Sequence, residues 1–249
     1  MEKISLKMNS KISLGINIDH VATLRNARGE NDPSLLEMMF EVIEGGAQSI
    51  TIHLREDRRH IRDSDLKDIL LHSKVPVNLE MAFTDEMIDI AIQHRPHSIC
   101  IVPEKREEIT TEGGLNIFSL KKEFPEKIKI LKEQDIRVFL FVEPDLKVVE
   151  TSANLNIDGL EIHTGAFAKA FHHGDESSMQ FSRIEQSARL CQSLNLEFHA
   201  GHGLNRYNIM KFTSIENLTE VNIGHSIIAR ALKCGLKNAV LEIKEILRK

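Results

Sequence analysis

Apolar runs short enough for strands alternate with longer amphipathic stretches along the whole chain. Strands are predicted at Leu14–Asp19, Ser49–Leu54, Val75–Met81, Ser98–Val102, Arg137–Val142, Asp158–His163, Leu196–Ala200 and Glu220–Gly224. Helical spacing of apolar residues marks Pro33–Ile43, Asp63–His72, Thr84–Gln93, Ser119–Gln134, Asp145–Ala153, Ser177–Ser193, Asn205–Thr213 and Ser226–Leu247. Thr84, Asp145 and Ser177 stand where helix N-caps belong, and Gly45–Gly46 offers a left-handed helix end. Eight β-then-α units without a composition break predict a closed parallel sheet. The fold class is therefore α/β, a (β/α)8 TIM barrel forming a single domain with extra rim helices. An open doubly wound sheet competes with it, and the lack of a GxGxxG turn weighs against that alternative.

Side chains on a strand point alternately to its two faces, so parity is legible in the sequence. Ile50, Ile52 and Leu54 share one face of the second strand; Thr51, His53 and Arg55 share the other. In the third, Val77, Leu79 and Met81 oppose Asn78 and Glu80. The same split sets Leu160 and Ile162 against Glu161 and His163, Phe198 against Glu197 and His199, and Ile16 and Ile18 against Asn17 and Asp19. The apolar face belongs under the helices, so Asn17, Asp19, His53, Arg55, Glu80, Glu161, His163 and His199 should point into the barrel. Barrel interiors are ordinarily filled with aliphatic layers. Buried carboxylates and imidazoles cost several kcal/mol when unpaired, about as much as a small domain can spare. A satisfied internal network, such as Arg55 paired with Glu80, would explain one of them; the whole set is better explained by chemistry.

Composition narrows the field without naming a reaction. The 249 residues are 41% hydrophobic and 28% charged, enough chain to bury a large core, and the net charge of −5 supplies no basic field for nucleic acid. No run of eighteen apolar residues predicts a membrane span, and the first ten residues do not read as a secretory signal. Cys100, Cys191 and Cys234 lack CxxC spacing, which points to a reducing compartment and a cytoplasmic protein. Residues 1–11 are expected to be a disordered extension, with the barrel occupying 12–249. Two long connections, Pro103–Asn116 and Thr164–Glu176, would lie on the C-terminal rim, where loops serve active sites.

Arg55 leaves the second strand within His53-Leu-Arg-Glu-Asp-Arg-Arg-His60, aimed inward to grip a phosphate bidentately, with His60 as a second donor. Glycine-histidine steps close the last two strands, Ala200-Gly-His-Gly203 and Asn222-Ile-Gly-His225. Loops after these strands often hold phosphate on backbone N–H groups. Glu80, His202 and His53 offer three groups able to exchange protons near neutral pH. Strands one to three thus supply acid-base groups and one phosphate grip, and loops seven and eight a second. A metal is disfavoured, since no HxH or HExxH pattern occurs and strand parity would separate Asp19 from His20. A lysine Schiff base is disfavoured too, Lys105 being the nearest candidate. Two phosphate sites around one cavity suggest a joining reaction, against a phosphosugar isomerase or aldolase, or a silent phosphate-metabolite binder.

The segments Asn17-Ile-Asp-His-Val-Ala-Thr-Leu-Arg-Asn-Ala-Arg28, His53 to His60, Asn78-Leu-Glu-Met81, Val102-Pro-Glu-Lys-Arg106, Thr110-Thr-Glu-Gly-Gly114, Glu161-Ile-His-Thr-Gly165, Ala200 to Leu204 and Asn222 to His225 together resemble the pyridoxine 5'-phosphate synthase family. The likeness runs in order from about residue 14 to the C-terminus. It implies a cofactor-free transferase of vitamin B6 synthesis, a homo-octamer built as a tetramer of dimers. Such an enzyme condenses 3-amino-2-oxopropyl phosphate with 1-deoxy-D-xylulose 5-phosphate to pyridoxine 5'-phosphate, inorganic phosphate and water. By that resemblance His53 and Glu80 accept protons and His202 donates one. Asn17, Arg28, Gly203, Gly224 and His225 would bind the amino-ketone phosphate; Asp19, His20, Arg55, His60 and Thr110 would bind the deoxyxylulose phosphate. The roles of Arg28 and Thr110 come from the resemblance alone. Two features depart from it: His199 replaces the usual asparagine, and Gly29–Pro33 is shorter than is common.

Overall fold

The structure is a computed structural model describing residues 12–104, 113–120 and 122–248. Among these, eight strands form a parallel barrel that closes in chain order: β1 (Ser13–Asn17), β2 (Ser49–His53), β3 (Val77–Met81), β4 (Ser98–Ile101), β5 (Arg137–Val142), β6 (Gly159–His163), β7 (Glu197–Gly201) and β8 (Leu218–Ile223). β1 pairs with both β2 and β8, so no edge is left open. The helices are α1 (Asp19–Asn26), α2 (Leu35–Glu44), α3 (Asp63–His72), α4 (Asp85–His94), α5 (Phe124–Lys132), α6 (Leu146–Ser152), α7 (Gly165–Ala170), α8 (Gly174–Ser193), α9 (His225–Cys234) and α10 (Leu236–Leu247).

The large core lies between barrel and helices. Ile50, Ile52, Leu54, Leu79, Met81, Leu160, Ile162 and Phe198 are fully buried there against Leu66, Ile69, Met87, Ala91, Ile184 and Val240. Each such side chain contributes about 1.5–3 kcal/mol by leaving water. The barrel's inside holds a separate, smaller apolar cluster of Cys100, Val102, Phe139 and Phe141, confined to β4, β5 and the step after β4. The remaining inner wall is polar, as parity requires.

Local chemistry sets most helix starts. Ser34, Thr84 and Asp145 accept the N–H of Glu37, Met87 and Val148, satisfying donors that a helix start leaves free. Ser177 does not cap a helix: α8 begins three residues earlier, and Ser177 is buried inside it. At the end of α2 the left-handed position is Gly46, with φ 100°, while Gly45 remains helical.

Other expectations are corrected by tertiary packing. Asp19 and His20 do not continue β1; they open α1, so adjacent residues there are not separated by strand alternation. Thr164–Glu176 is not a bare loop, since α7 and the first turn of α8 fill it. Asn205–Thr213 resolves into a turn and a 3-10 helix at Ile209–Ser214. The last predicted helix is two, broken at Gly235, whose φ of 79° no helix interior accommodates. Residues 1–11, Lys105 and Thr110 lie outside the described residues.

Candidate active site

Strand register converts parity into stacked polar layers. Asn17 stands beside Thr51, Thr51 beside Asn78 and His53 beside Glu80, while Glu161 stands beside His199 and Gly201 beside Asn222. Register neighbours in a parallel sheet share a face. Strands β1 to β3 and β6 to β8 thus turn hydrogen-bonding groups toward one axis.

On the wall formed by β1 to β3, His53 is the hub. Its Nε2 lies 2.8 Å from Glu104 Oε1, and its Nδ1 is 3.8 Å from Glu80 Oε2. Its backbone N–H donates to Asp19 Oδ1 at 2.9 Å, while Asn17 Nδ2 donates to Asp19 Oδ2 at 2.8 Å and reaches Glu80 Oε2 at 3.5 Å. The imidazole therefore sits between two carboxyls. Burial alone would raise Glu104, but the bond to His53 and the Glu56 N–H keep it below the ordinary carboxyl range. Glu80 behaves oppositely. Burial, followed by the nearby Glu161 and Asp19 charges, pushes it well above that range. Although 17% of its side chain still faces the cavity, the packed surroundings dominate. Beside Glu80, then, stands a fixed carboxylate that orients His53, while Glu80 itself holds a proton more readily than an ordinary carboxyl.

Deeper in the barrel, Thr51 Oγ1 donates to Asn222 Oδ1 at 3.0 Å, and Asn222 Nδ2 donates to Glu161 Oε2 at 2.8 Å, all buried. Burial lifts Glu161 to about 7, against the opposing pull of His199 and Asn222. Gly201 makes room for it: any Cβ there would overlap Glu161 Oε1. His199, standing where the resemblance expects asparagine, stacks on Phe139 with ring centroids 4.4 Å apart and bonds Glu197 at 2.9 Å. That bond and Arg137 pull Glu197 down to about 2 despite its burial. The departure thus has a local partner and stays at the floor of the barrel.

The glycine-histidine loops meet at the rim. Ser226 Oγ donates to the carbonyl oxygen of Leu204 at 2.6 Å and ties the two loops together, while Asn208 Nδ2 donates to that of Gly203 at 3.1 Å and braces the first loop internally. His202 and Gly203 both take left-handed backbone, φ 74° and 80°. For histidine this conformation is strained, the kind of cost found at functional sites. It is held by the Thr164 hydroxyl, 2.6 Å from the His202 carbonyl oxygen. Gly224 precedes the first turn of α9, whose free N–H groups suit an anion. His225 faces His20, ring centroids 5.2 Å apart. Burial lowers His20, His60 and His202, the last to about 4, so these rings are neutral donors before a substrate arrives. An arriving phosphate dianion would reverse the shift by favouring the charged ring.

The structure brings together Asn17, Asp19, His53, Glu80 and His60 on one wall, and His202, Gly203, Gly224 and His225 on the loops after β7 and β8, where His20 from the first turn of α1 meets His225. Arg55 is buried with Nε 3.6 Å from Asp57 Oδ1, lining a small cleft with Glu56, Asp57 and Glu104. Arg28 is not gathered in; its side chain is 81% exposed and pairs with Glu30 at 3.3 Å. Asp19, His53 and His60 offer ligand atoms within 4.8 Å of one another, a grouping the sequence patterns did not reveal. Their polar atoms already bond protein groups: Asp19 as above, and His60 Nδ1 with the N–H of Ile61. The larger cavity, about 390 Å³ between the Asn205–Tyr207 turn, α9 and α10, lies outside the barrel.

Three groups escaped the sequence reading. Glu104 and Glu143 follow β4 and β5 on the inward parity of Cys100–Val102 and Phe139–Phe141, so carrying the alternation on to the third residue past β4 and the first past β5 would have found them. Arg25, buried, forks onto Asp65 at 2.6 and 2.9 Å and reaches the carbonyl oxygen of His60, fixing the loop that carries His60. No pattern in the sequence pairs positions 25 and 65.

Solved structures with this architecture include thiamine phosphate pyrophosphorylase from Pyrococcus furiosus, with TM-score 0.61 at 12% identity, covering 96% of this chain and 97% of that one. Phosphoribosyl anthranilate isomerase from Thermococcus kodakaraensis gives 0.62 at 11% identity, covering 96% and 99%. At such identities the likeness shows the fold alone. Sequence relatives say more. The chain is 45% identical to pyridoxine 5'-phosphate synthase of Zymomonas mobilis subsp. mobilis, covering 96% of this chain and 93% of the relative. It is 46% identical to the enzyme of that name from Thermodesulfovibrio yellowstonii, covering 95% and 97%. Residues 14–249 match the family described as pyridoxal phosphate biosynthesis protein PdxJ, and with relatives this similar along nearly its whole length the chain belongs to that family.

Proposed function

We propose that the chain is a pyridoxine 5'-phosphate synthase, joining 3-amino-2-oxopropyl phosphate to 1-deoxy-D-xylulose 5-phosphate. Family membership supports the name; the observation that carries the chemistry is His53 held between Glu104 and Glu80 inside a polar barrel. The amine of one substrate attacks the ketone of the other, forming an imine between the substrates themselves. Glu80, its carboxyl raised by burial and neighbouring carboxylates, and His53 move protons for dehydration and loss of phosphate. His202 supplies a proton to a departing or ring-closing oxygen once bound phosphate has raised it. Arg55, His20 and His60 would grip one phosphorylated substrate, and the N–H groups near Gly203 and Gly224 would hold the other.

Homo-octameric assembly and a cytoplasmic location belong to this proposal. No described helix is long and apolar enough to cross a membrane. Light scattering of the purified protein tests the assembly. Incubation with both substrates tests the reaction: pyridoxine 5'-phosphate should form only when both are present. Turnover of one phosphosugar alone would instead favour an isomerase or aldolase, and saturable binding without product a silent binder. Glu80→Gln should fold and lose roughly 10²-fold or more in turnover; full activity in that variant would remove Glu80 from its role.

A further inference from the structure

The Glu143 carboxylate lies at the end of β5, outside every role given so far. Its Oε1 is 2.7 Å from His163 Nδ1 and also accepts the N–H of Gly114 at 2.9 Å. The chain at Gly114 is laid flat on β5, with the Leu115 N–H donating to the Phe141 carbonyl oxygen at 2.7 Å. Gly114 is the residue this contact requires, since a Cβ would fall 2.6 Å from the carbonyl carbon of Val142. Burial would raise Glu143, but the His163 bond and the Gly114 N–H hold it below the ordinary range. An ionised Glu143 accepts hydrogen, so His163 carries its proton on Nδ1.

That leaves His163 Nε2 as a buried nitrogen with no hydrogen-bond partner. Such an atom costs about 1–3 kcal/mol, a cost usually tied to function. It faces the strained loop. A Cβ on Gly165 would stand 2.5 Å from His163 Nε2 and 3.1 Å from His202 Cδ2, so Gly165 opens the space between the rings. The ring centroids of His163 and His202 are 4.8 Å apart, with Phe141 closing the other side of His163 at 5.3 Å. The titratable groups facing His202 are His163 from β6, Lys169 from α7 and Glu143 beyond β5; the first two oppose a charge on His202 and the third favours it.

We propose that Glu143 and His163 are positioning residues for His202: Glu143, clamped by the Gly114 N–H, fixes the tautomer and plane of His163, and His163 fixes the orientation and charge state of His202. This rests on His202 being the acid–base group of the proposed reaction. Glu143 is 41% exposed at its side chain, so Glu143→Gln should leave the fold intact. His163→Asn removes the neighbouring ring.

The test follows the ring signals of histidine-labelled protein through a pH titration, with His202 assigned by its loss in His202→Gln. Removing His163 should move the His202 midpoint upward by about half a pH unit or more. Glu143→Gln should lower kcat roughly tenfold with KM little changed and alter the pH dependence of kcat, and Glu143→Asp should restore part of the loss. An unchanged His202 midpoint in folded His163→Asn, or a Glu143→Gln enzyme slowed equally at every pH, would overturn the proposal. The titration needs no turnover, so it decides the dyad even if the two substrates give no product.

Discussion

Glu161 is 3% exposed and its carboxyl is raised from 4.5 to about 7, which makes it a stability liability with a calculable size. The folded chain holds this proton more tightly than the unfolded chain does. The penalty is therefore absent below about pH 4.5, grows as pH rises toward 7, and is complete above it. A shift of that size corresponds to about 3 kcal/mol of lost stability in mildly alkaline solution. Glu161→Gln keeps the shape and an acceptor for the Asn222 amide, and removes the charge. Relative to the parent it should gain nothing at pH 4.5 and up to about 3 kcal/mol at pH 8. In a domain of this size that is roughly 6–12 °C in Tm. Thermal melts by circular dichroism at half-unit steps from pH 4.5 to 8.5 would show it as a widening gap between the two curves. Parallel curves would refute the argument, because a carboxyl that ionises normally leaves no pH-dependent difference to remove. Activity measured alongside should fall, since the charge is retained at a cost to stability that only a use in the cavity explains.

Asp65→Ala strands the buried Arg25 guanidinium and should cost about 3–5 kcal/mol, read as a lower denaturation midpoint, with the loop carrying His60 loosening first in hydrogen exchange. Glu104→Gln keeps the volume but loses the charge that orients His53. Turnover should fall by roughly tenfold while the melting temperature shifts little, and unchanged kcat would show that Glu80 alone positions the ring.

Much of the wall was legible because strand parity is rigid. Asn17, His53, Glu80, Glu161 and His199 take the inward faces that alternation assigns them, and the apolar members of each strand fill the outer core. Asp19 arrived inward by a different route, as the first residue of α1, because the strand ended two residues sooner than predicted. Pairings across distance were not legible. Nothing in the order of residues joins Thr51 to Asn222, Arg25 to Asp65 or Glu143 to His163.

The sequence by itself determined the alternation of strands and helices, the polar inward face and the glycines that let side chains and backbones crowd the axis. These follow from local periodicity and from steric rules that act within a few residues. Tertiary structure decided which polar groups touch, and through that their charge. Glu104 and Glu80 are both glutamates beside the same histidine. One is held low by two hydrogen bonds and the other is driven high by burial and like charges. Desolvation and Coulomb interaction depend on what surrounds a group from every side, and only closure of the barrel supplies those surroundings.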